Sequence, residues 1–174
     1  MNKDCIEGYK IFNSNFTNRY GKIFKEGVLY KTSNNVKFGN DGKGFHLCTN
    51  LEDTFRYIDT SQGFQIARVI GSGKKELYND EYYGYYDMYS CEKIYIKKFL
   101  KRKEVINIIL KSSRKSIIRF LETCKLTEEE KISFVNQFIN DIEILKYILY
   151  YQYNQKDAFS IRIKNPKQLI KKYL

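Results

Sequence analysis

The sequence predicts an α+β fold: a small antiparallel or mixed sheet with one short helix in residues 1–100, then a helical subdomain in residues 101–174 packed on it. Three observations carry this expectation. Over the first hundred residues, short apolar and aromatic stretches are broken by Gly and Asn at strand-like intervals. After Leu100 the apolar residues recur at helical spacing. The chain of 174 residues is 43% hydrophobic, with 12 Phe and 16 Tyr, which is enough to build a core and too apolar for a disordered chain.

Taken in order, Gly8 to Phe12 reads as a strand, followed by an Asn-Ser-Asn turn at 13–15. Tyr20 to Phe24 and Val28 to Thr32 suggest a hairpin across Lys25-Glu26-Gly27, and Asn34-Asn35 and Gly39 to Gly42 read as loops. Gly44 to Thr49 is a compact strand. It runs into Asn50-Leu51-Glu52-Asp53, where Asn50 suits an N-cap and Leu51, Phe55 and Ile58 mark one face of a helix over 51–59. Phe64 to Ile70 alternates as a strand, Gly71-Ser72-Gly73-Lys74-Lys75 reads as a turn, and Cys91 to Phe99 alternates without declaring its buried face.

The helical part begins with Val105, Ile106, Ile109 and Leu110, and continues with Ile117, Ile118, Leu121 and Cys124. Thr127 with Glu130 forms a capping-box pattern, and three glutamates at 128–130 complement the helix macrodipole. Apolar residues from Ile132 to Leu149 then predict one helix of about 25 residues. The only proline, Pro166, follows Asn165 and opens a last short helix.

The net charge of +11 invites an anionic partner. Residues 1–100 carry +3 and residues 101–174 carry +8. The surplus gathers at Lys97, Lys98, Lys101, Arg102 and Lys103, then at Lys111, Arg114, Lys115 and Arg119, then at Arg162, Lys164, Lys167, Lys171 and Lys172. Lys outnumbers Arg 24 to 7, and residues with AT-rich codons (Phe, Tyr, Met, Ile, Asn, Lys) number 89 against 20 for Gly, Ala, Arg and Pro. An AT-rich genome therefore explains part of the charge, because a surface selected to read phosphates or bases favours the planar Arg fork. A solvated helix face and an electrostatic footprint for RNA or an acidic protein both remain open.

The chemistry-bearing residues are sparse. Cys5, Cys48, Cys91 and Cys124 lie far apart with one His in the chain, which excludes a zinc finger and predicts reduced, buried thiols; no metal and no cofactor are expected. His46 and Cys48 alternate to one strand face, where His46 reads as a hydrogen-bonded strand residue more readily than as a general base. Gly71 to Lys75 lacks the first glycine and the hydroxyl residue of a phosphate loop. From Tyr78 to Tyr89 six tyrosines mix with Asp80, Glu81 and Asp87. Tyr82, Tyr83, Tyr85, Tyr86 and Tyr89 could stack bases, or pack as a tyrosine-rich loop on the sheet.

Three segments, Gly8 to Gly21, Gly44 to Asp53 and Tyr82 to Tyr89, resemble in order and spacing a family of paralogous proteins in mimivirus-like giant viruses of amoebae. The G-[FY]-H-[FL]-C core also resembles a small domain of phage and bacterial proteins. The resemblance covers roughly residues 5–110. It implies a viral accessory protein made in the host cytoplasm or viral factory, not secreted, and it supplies no catalytic residues. Separately, Gly44 to Ile58 is similar to the G-[FIY]-[HY]-[LF]-x-T-x-x-E-x-A segment of ADP-ribosyltransferase-like folds, with Thr54 in place of the Ala. That similarity implies a dinucleotide-binding His or Arg on the preceding strand, where this chain offers Lys10, and a late-strand glutamate, where it offers Glu92.

Three functional expectations follow. The first is a non-enzymatic binding module for RNA or an acidic protein, using the Tyr segment and the basic clusters. The second is an ADP-ribosyltransferase-like enzyme acting on a nicotinamide dinucleotide, using Glu92 with Lys10 or His46. The third is a structural or oligomerising protein that uses the 127–152 helix. No run is long and apolar enough for a membrane span, and no membrane partner is expected.

Overall fold

The structure, a computed structural model, describes residues 5–33, 36–37, 44–57, 63–78 and 88–156. It is α+β, and among the described residues an antiparallel five-stranded sheet is followed by four helices. The chain divides into two compact units, Met1–Val105 and Ile106–Leu174.

In the first unit the strands are β1 (Ile6–Asn13), β2 (Leu29–Lys31), β3 (Phe45–Cys48), β4 (Phe64–Tyr78) and β5 (Met88–Leu100). β1 pairs with β4 along its whole length, β4 with β5, β5 with β3, and β3 with β1. Those four antiparallel pairings close a ring, so the sheet is a small barrel, and the ring shortens the free edges an open sheet would expose. β2 is added on β5 beyond β3. Phe12, Phe24, Phe45, Leu47, Ala67, Val69, Cys91, Ile94 and Ile96 form the barrel's core cluster. Each large side chain buried there contributes roughly 1.5–3 kcal/mol. Gly8 lets β1 approach β3: a Cβ there would fall on the Cys48 carbonyl oxygen and 2.7 Å from Leu47 Cδ1.

Three local expectations are corrected in this unit. Tyr20–Phe24 and Val28–Thr32 do not form a hairpin: Ile23 bridges to Thr17, and β2 pairs with β5. The two segments meet instead through rings, Phe24 and Tyr30 having centroids 4.6 Å apart. Gly71 to Lys75 is no turn but the middle of β4. The register shifts between Ser72 and Lys75, with Gly73 at φ +77°, so the glycine serves a bulge that lets a 15-residue strand stay paired. Asn50 does not cap a helix either. The segment is a 3-10 turn over Glu52–Arg56 that starts from Leu51 without a side-chain cap, while Asn50 Nδ2 donates to Asp53 Oδ2 at 3.3 Å.

The second unit holds most of the helices. α1 (Arg102–Ile109) contains the division between units, and α2 (Arg114–Thr123), α3 (Glu128–Gln137) and α4 (Ile142–Tyr147) follow. Thr127 and Glu130 form the expected capping box, at 3.2 and 3.0 Å. The single long helix does not form. α3 ends at Phe138, and Asp141 starts α4 afresh by accepting from Ile144 N at 3.2 Å, after which the helix widens into a π-helical turn over Ile148–Gln152. An Asn-Asp pair at 140–141 offers the backbone side-chain acceptors that compete with helix continuation. Phe120 and Phe134 stack in this core, and the buried Gln152 amide donates to Leu121 O and Cys124 O and accepts from Leu126 N, at 2.7, 3.0 and 2.9 Å.

All four cysteines are free thiols, but Cys5 is exposed while the other three are buried. Asn34, Asn35, Gly39 to Gly42, Ile58, the segment 79–87 and the Asn165-Pro166 helix lie outside the described residues.

Candidate functional site

β1 and β3 share a single paired position, Tyr9 with Cys48, although each is fully paired on its other side. Where this seam of the barrel stops pairing, a cleft of about 170 Å³ opens. The Lys10 ammonium donates to the His46 carbonyl oxygen at 2.9 Å, taking the place of the backbone N–H that a continued ladder would supply. Tyr9 and Lys10 line the cleft from β1, and His46 and Cys48 from β3.

The rim comes from irregular segments. The turn after β1 places Arg19 and Tyr20 there, with Asn18 Oδ1 accepting from Tyr20 N and Lys22 N, both at 3.0 Å, to hold the turn. The Arg19 guanidinium lies 4.7 Å from the centroid of the Tyr20 ring. Tyr57, just past the 3-10 turn, completes the rim and donates its hydroxyl to the Met88 sulfur.

The electrostatics of the cleft point one way. Among the described residues lining it there are Lys10, Arg19 and His46 and no carboxylate. Desolvation pushes the Lys10 ammonium down from 10.5 to about 8, with the Arg19 charge adding to the effect and Cys48 opposing it. His46 falls from 6.5 to about 4, first through desolvation and then through the positive charges of Lys10 and Arg19. Such a place favours an arriving negative charge.

The structure brings together Lys10 and His46 but not Glu92. The Glu92 carboxylate accepts from Lys74 N at 3.1 Å beside the Gly73 bulge and does not line the cleft. Arg19, Tyr20, Tyr9 and Tyr57 carry no periodic signal, and sequence reasoning did not single them out. The one available hint was that Arg19 and Tyr20 fall in an Asn-rich stretch between strands.

The basic clusters sit elsewhere. Lys97 meets Glu7 at 3.3 Å and Lys98 meets Glu104 at 2.7 Å, while Arg102 lies over the Phe64 ring and Lys101 and Lys103 are exposed. Arg114 is held by Asp141 at 2.8 Å and Glu143 at 3.1 Å. With Lys115 and Arg119 it lines a groove on α2 and α4 that also contains Glu122 and Glu143. Tyr89 is half-buried against the barrel core. Tyr82, Tyr83, Tyr85 and Tyr86, and Arg162, Lys164, Lys167, Lys171 and Lys172, lie outside the described residues.

Among the described residues no group of His, Cys, Asp and Glu could hold a metal ion, and no helix is long and apolar enough to cross a membrane. Residues 6–108 match a family described as a domain of unknown function, DUF7666, a span that contains every residue of the cleft. No curated protein and no solved structure matches the chain.

Proposed function

The chain belongs to the DUF7666 family, and from the cleft enclosed by that domain we propose that the protein is a non-enzymatic binding module that receives an anionic group between β1 and β3. The observation that carries the reading is the pair of cations Lys10 and Arg19, with the His46 ring beside them, around a cleft with no carboxylate among its described lining residues. A desolvated ammonium with no carboxylate among the described residues around it is costly, and a bound anion relieves that cost. An RNA and an acidic protein both present such a group. An accessory role in a giant virus rests on the resemblance of the three segments and on the AT-rich composition.

The binding reading is favoured over ADP-ribosyl transfer by two features. Glu92, the carboxylate that reaction would use, is engaged beside Gly73 instead of lining the cleft. A cleft of about 170 Å³ is also small for a whole dinucleotide, since drug-sized ligands occupy pockets of about 300–1,000 Å³.

Thermal melts with added phosphate, sulfate and chloride test the reading. At a hundred times the Kd, a ligand stabilises by about 2.7 kcal/mol, which raises the midpoint by several degrees. The rise is expected with phosphate in the wild type, to be lost in Lys10→Met and Arg19→Ala, and to persist in Arg114→Ala. A rise that survives Lys10→Met and Arg19→Ala but vanishes in Arg114→Ala would move the site to the helices.

A further inference from the structure

The cleft also holds information about what kind of anion it takes. We infer that its ligand is a phosphate monoester attached to an aromatic base, that is, a nucleoside monophosphate, free or as the phosphorylated end of an RNA strand. This rests on the anion-binding reading above and adds the ligand class.

The phosphate half of the inference comes from the number and placement of the cations. Lys10 at the floor and Arg19 at the rim offer two positive charges from different elements, β1 and the turn that follows it. A carboxylate is matched by one guanidinium fork, whereas a monoester approaching two negative charges uses both cations. The His46 ring lies beside them and gains a proton more readily once that negative charge is in place. An internal phosphodiester carries one charge and has chain on both sides, which a concave pocket of about 170 Å³ does not accommodate.

The base half comes from the rim. Tyr20 is 72% exposed and Tyr57 is 43% exposed, yet both line the cleft. Large rings left in water at the mouth of a cationic pocket, one of them already stacked with a guanidinium, are what base stacking uses. The cleft is too small to enclose a whole nucleotide. The phosphate therefore goes in and the base stays at the mouth, against Tyr20.

Calorimetric titration of the full chain with uridine monophosphate, uridine and inorganic phosphate tests this. Two further arms are an oligouridylate with a terminal phosphate and the same strand without it. Uridine monophosphate should bind about tenfold to a hundredfold tighter than inorganic phosphate, with uridine weaker still. Tyr20→Ala, at an exposed position, should erase the advantage over phosphate. Arg19→Ala, also exposed, should weaken both. If the strand with a terminal phosphate also binds and the strand without it does not, the RNA end is the source; if only the free nucleotide binds, the source is a free nucleotide. Equal binding of the two strands, or equal binding of phosphate and uridine monophosphate, overturns the ligand class. Binding of glutamate or citrate, lost in Arg19→Ala, with no binding of any phosphate compound, overturns the class and leaves the anion-binding reading standing. If neither phosphates nor carboxylates bind, both fall together.

Discussion

In the barrel, Lys10 and Arg19 share a cleft with His46 and no described carboxylate lines it. In the helical unit, Arg114 carries the same kind of charge but is clasped by Asp141 and Glu143, and Glu122 faces the same groove. The helical part owns most of the net charge, +8 against +3. The difference teaches that a charge total says little about where an anion goes. A cation whose carboxylate partners are already in place is largely spoken for, and exposed pairs of this kind contribute at most about 1 kcal/mol. A desolvated cation without such a partner holds binding energy in reserve.

The strongest way to sharpen this contrast is to damage the scaffold behind one side only. Phe12 is fully buried in the barrel core, and Phe12→Ala should cost about 3–5 kcal/mol, read by denaturant unfolding, with anion binding weakened alongside. On the other side, Gln152→Ala leaves Leu126 N, Leu121 O and Cys124 O without their buried partner. It should cost about 2–3 kcal/mol while the affinity for phosphate stays within twofold (roughly) of wild type. An equal loss of phosphate affinity in both variants would break the separation.

Smaller still is Arg114→Ala, whose two exposed ion pairs predict a change within about 1 kcal/mol and unchanged phosphate affinity. The last expected effect is a slope on the alkaline limb of stability. Lys10 is at about 8 when folded and 10.5 when unfolded, so between those values the unfolded chain holds more protons and the Lys10 penalty is relieved as pH rises. Cys91, raised from 9.0 to about 11, acts in the opposite direction above pH 9. Lys10→Met should therefore remove the stabilising slope just above pH 8, where Cys91 does not yet contribute, as followed by thermal melts across that range. Phosphate affinity in the wild type should fall over the same interval as the free ammonium loses its proton.

What the sequence made legible was local. The capping box at Thr127 and Glu130 depends on two residues and their immediate backbone, and it forms as expected. β1 and β3 are likewise short alternating stretches bounded by turn residues. Closure of the barrel joins β1 with β4 and β3 with β5 across dozens of positions, and nothing in any one segment encodes it. Gly71 to Lys75 misled because glycine marks a bulge as readily as a turn, and only the partner strand decides between them. The 25-residue helix misled because apolar spacing runs on past Asn140 and Asp141, and the Asp141 side chain restarts the helix instead of extending it. At the site, Lys10 drew attention through a resemblance and His46 as the one histidine on a strand face, whereas Arg19, Tyr20 and Tyr57 are exposed, irregular and visible only once the seam between β1 and β3 brings them to one rim.

If the field of Lys10 and Arg19 awaits an anion, the chain's single histidine reports on it directly. Proton NMR titration of His46, with and without saturating phosphate, follows one ring through one transition. The free protein should titrate at about 4. With phosphate bound, the added negative charge should move the transition upward toward the ordinary histidine value. A His46 that titrates at the same pH with and without phosphate would mean that no anion enters the field of Lys10 and Arg19.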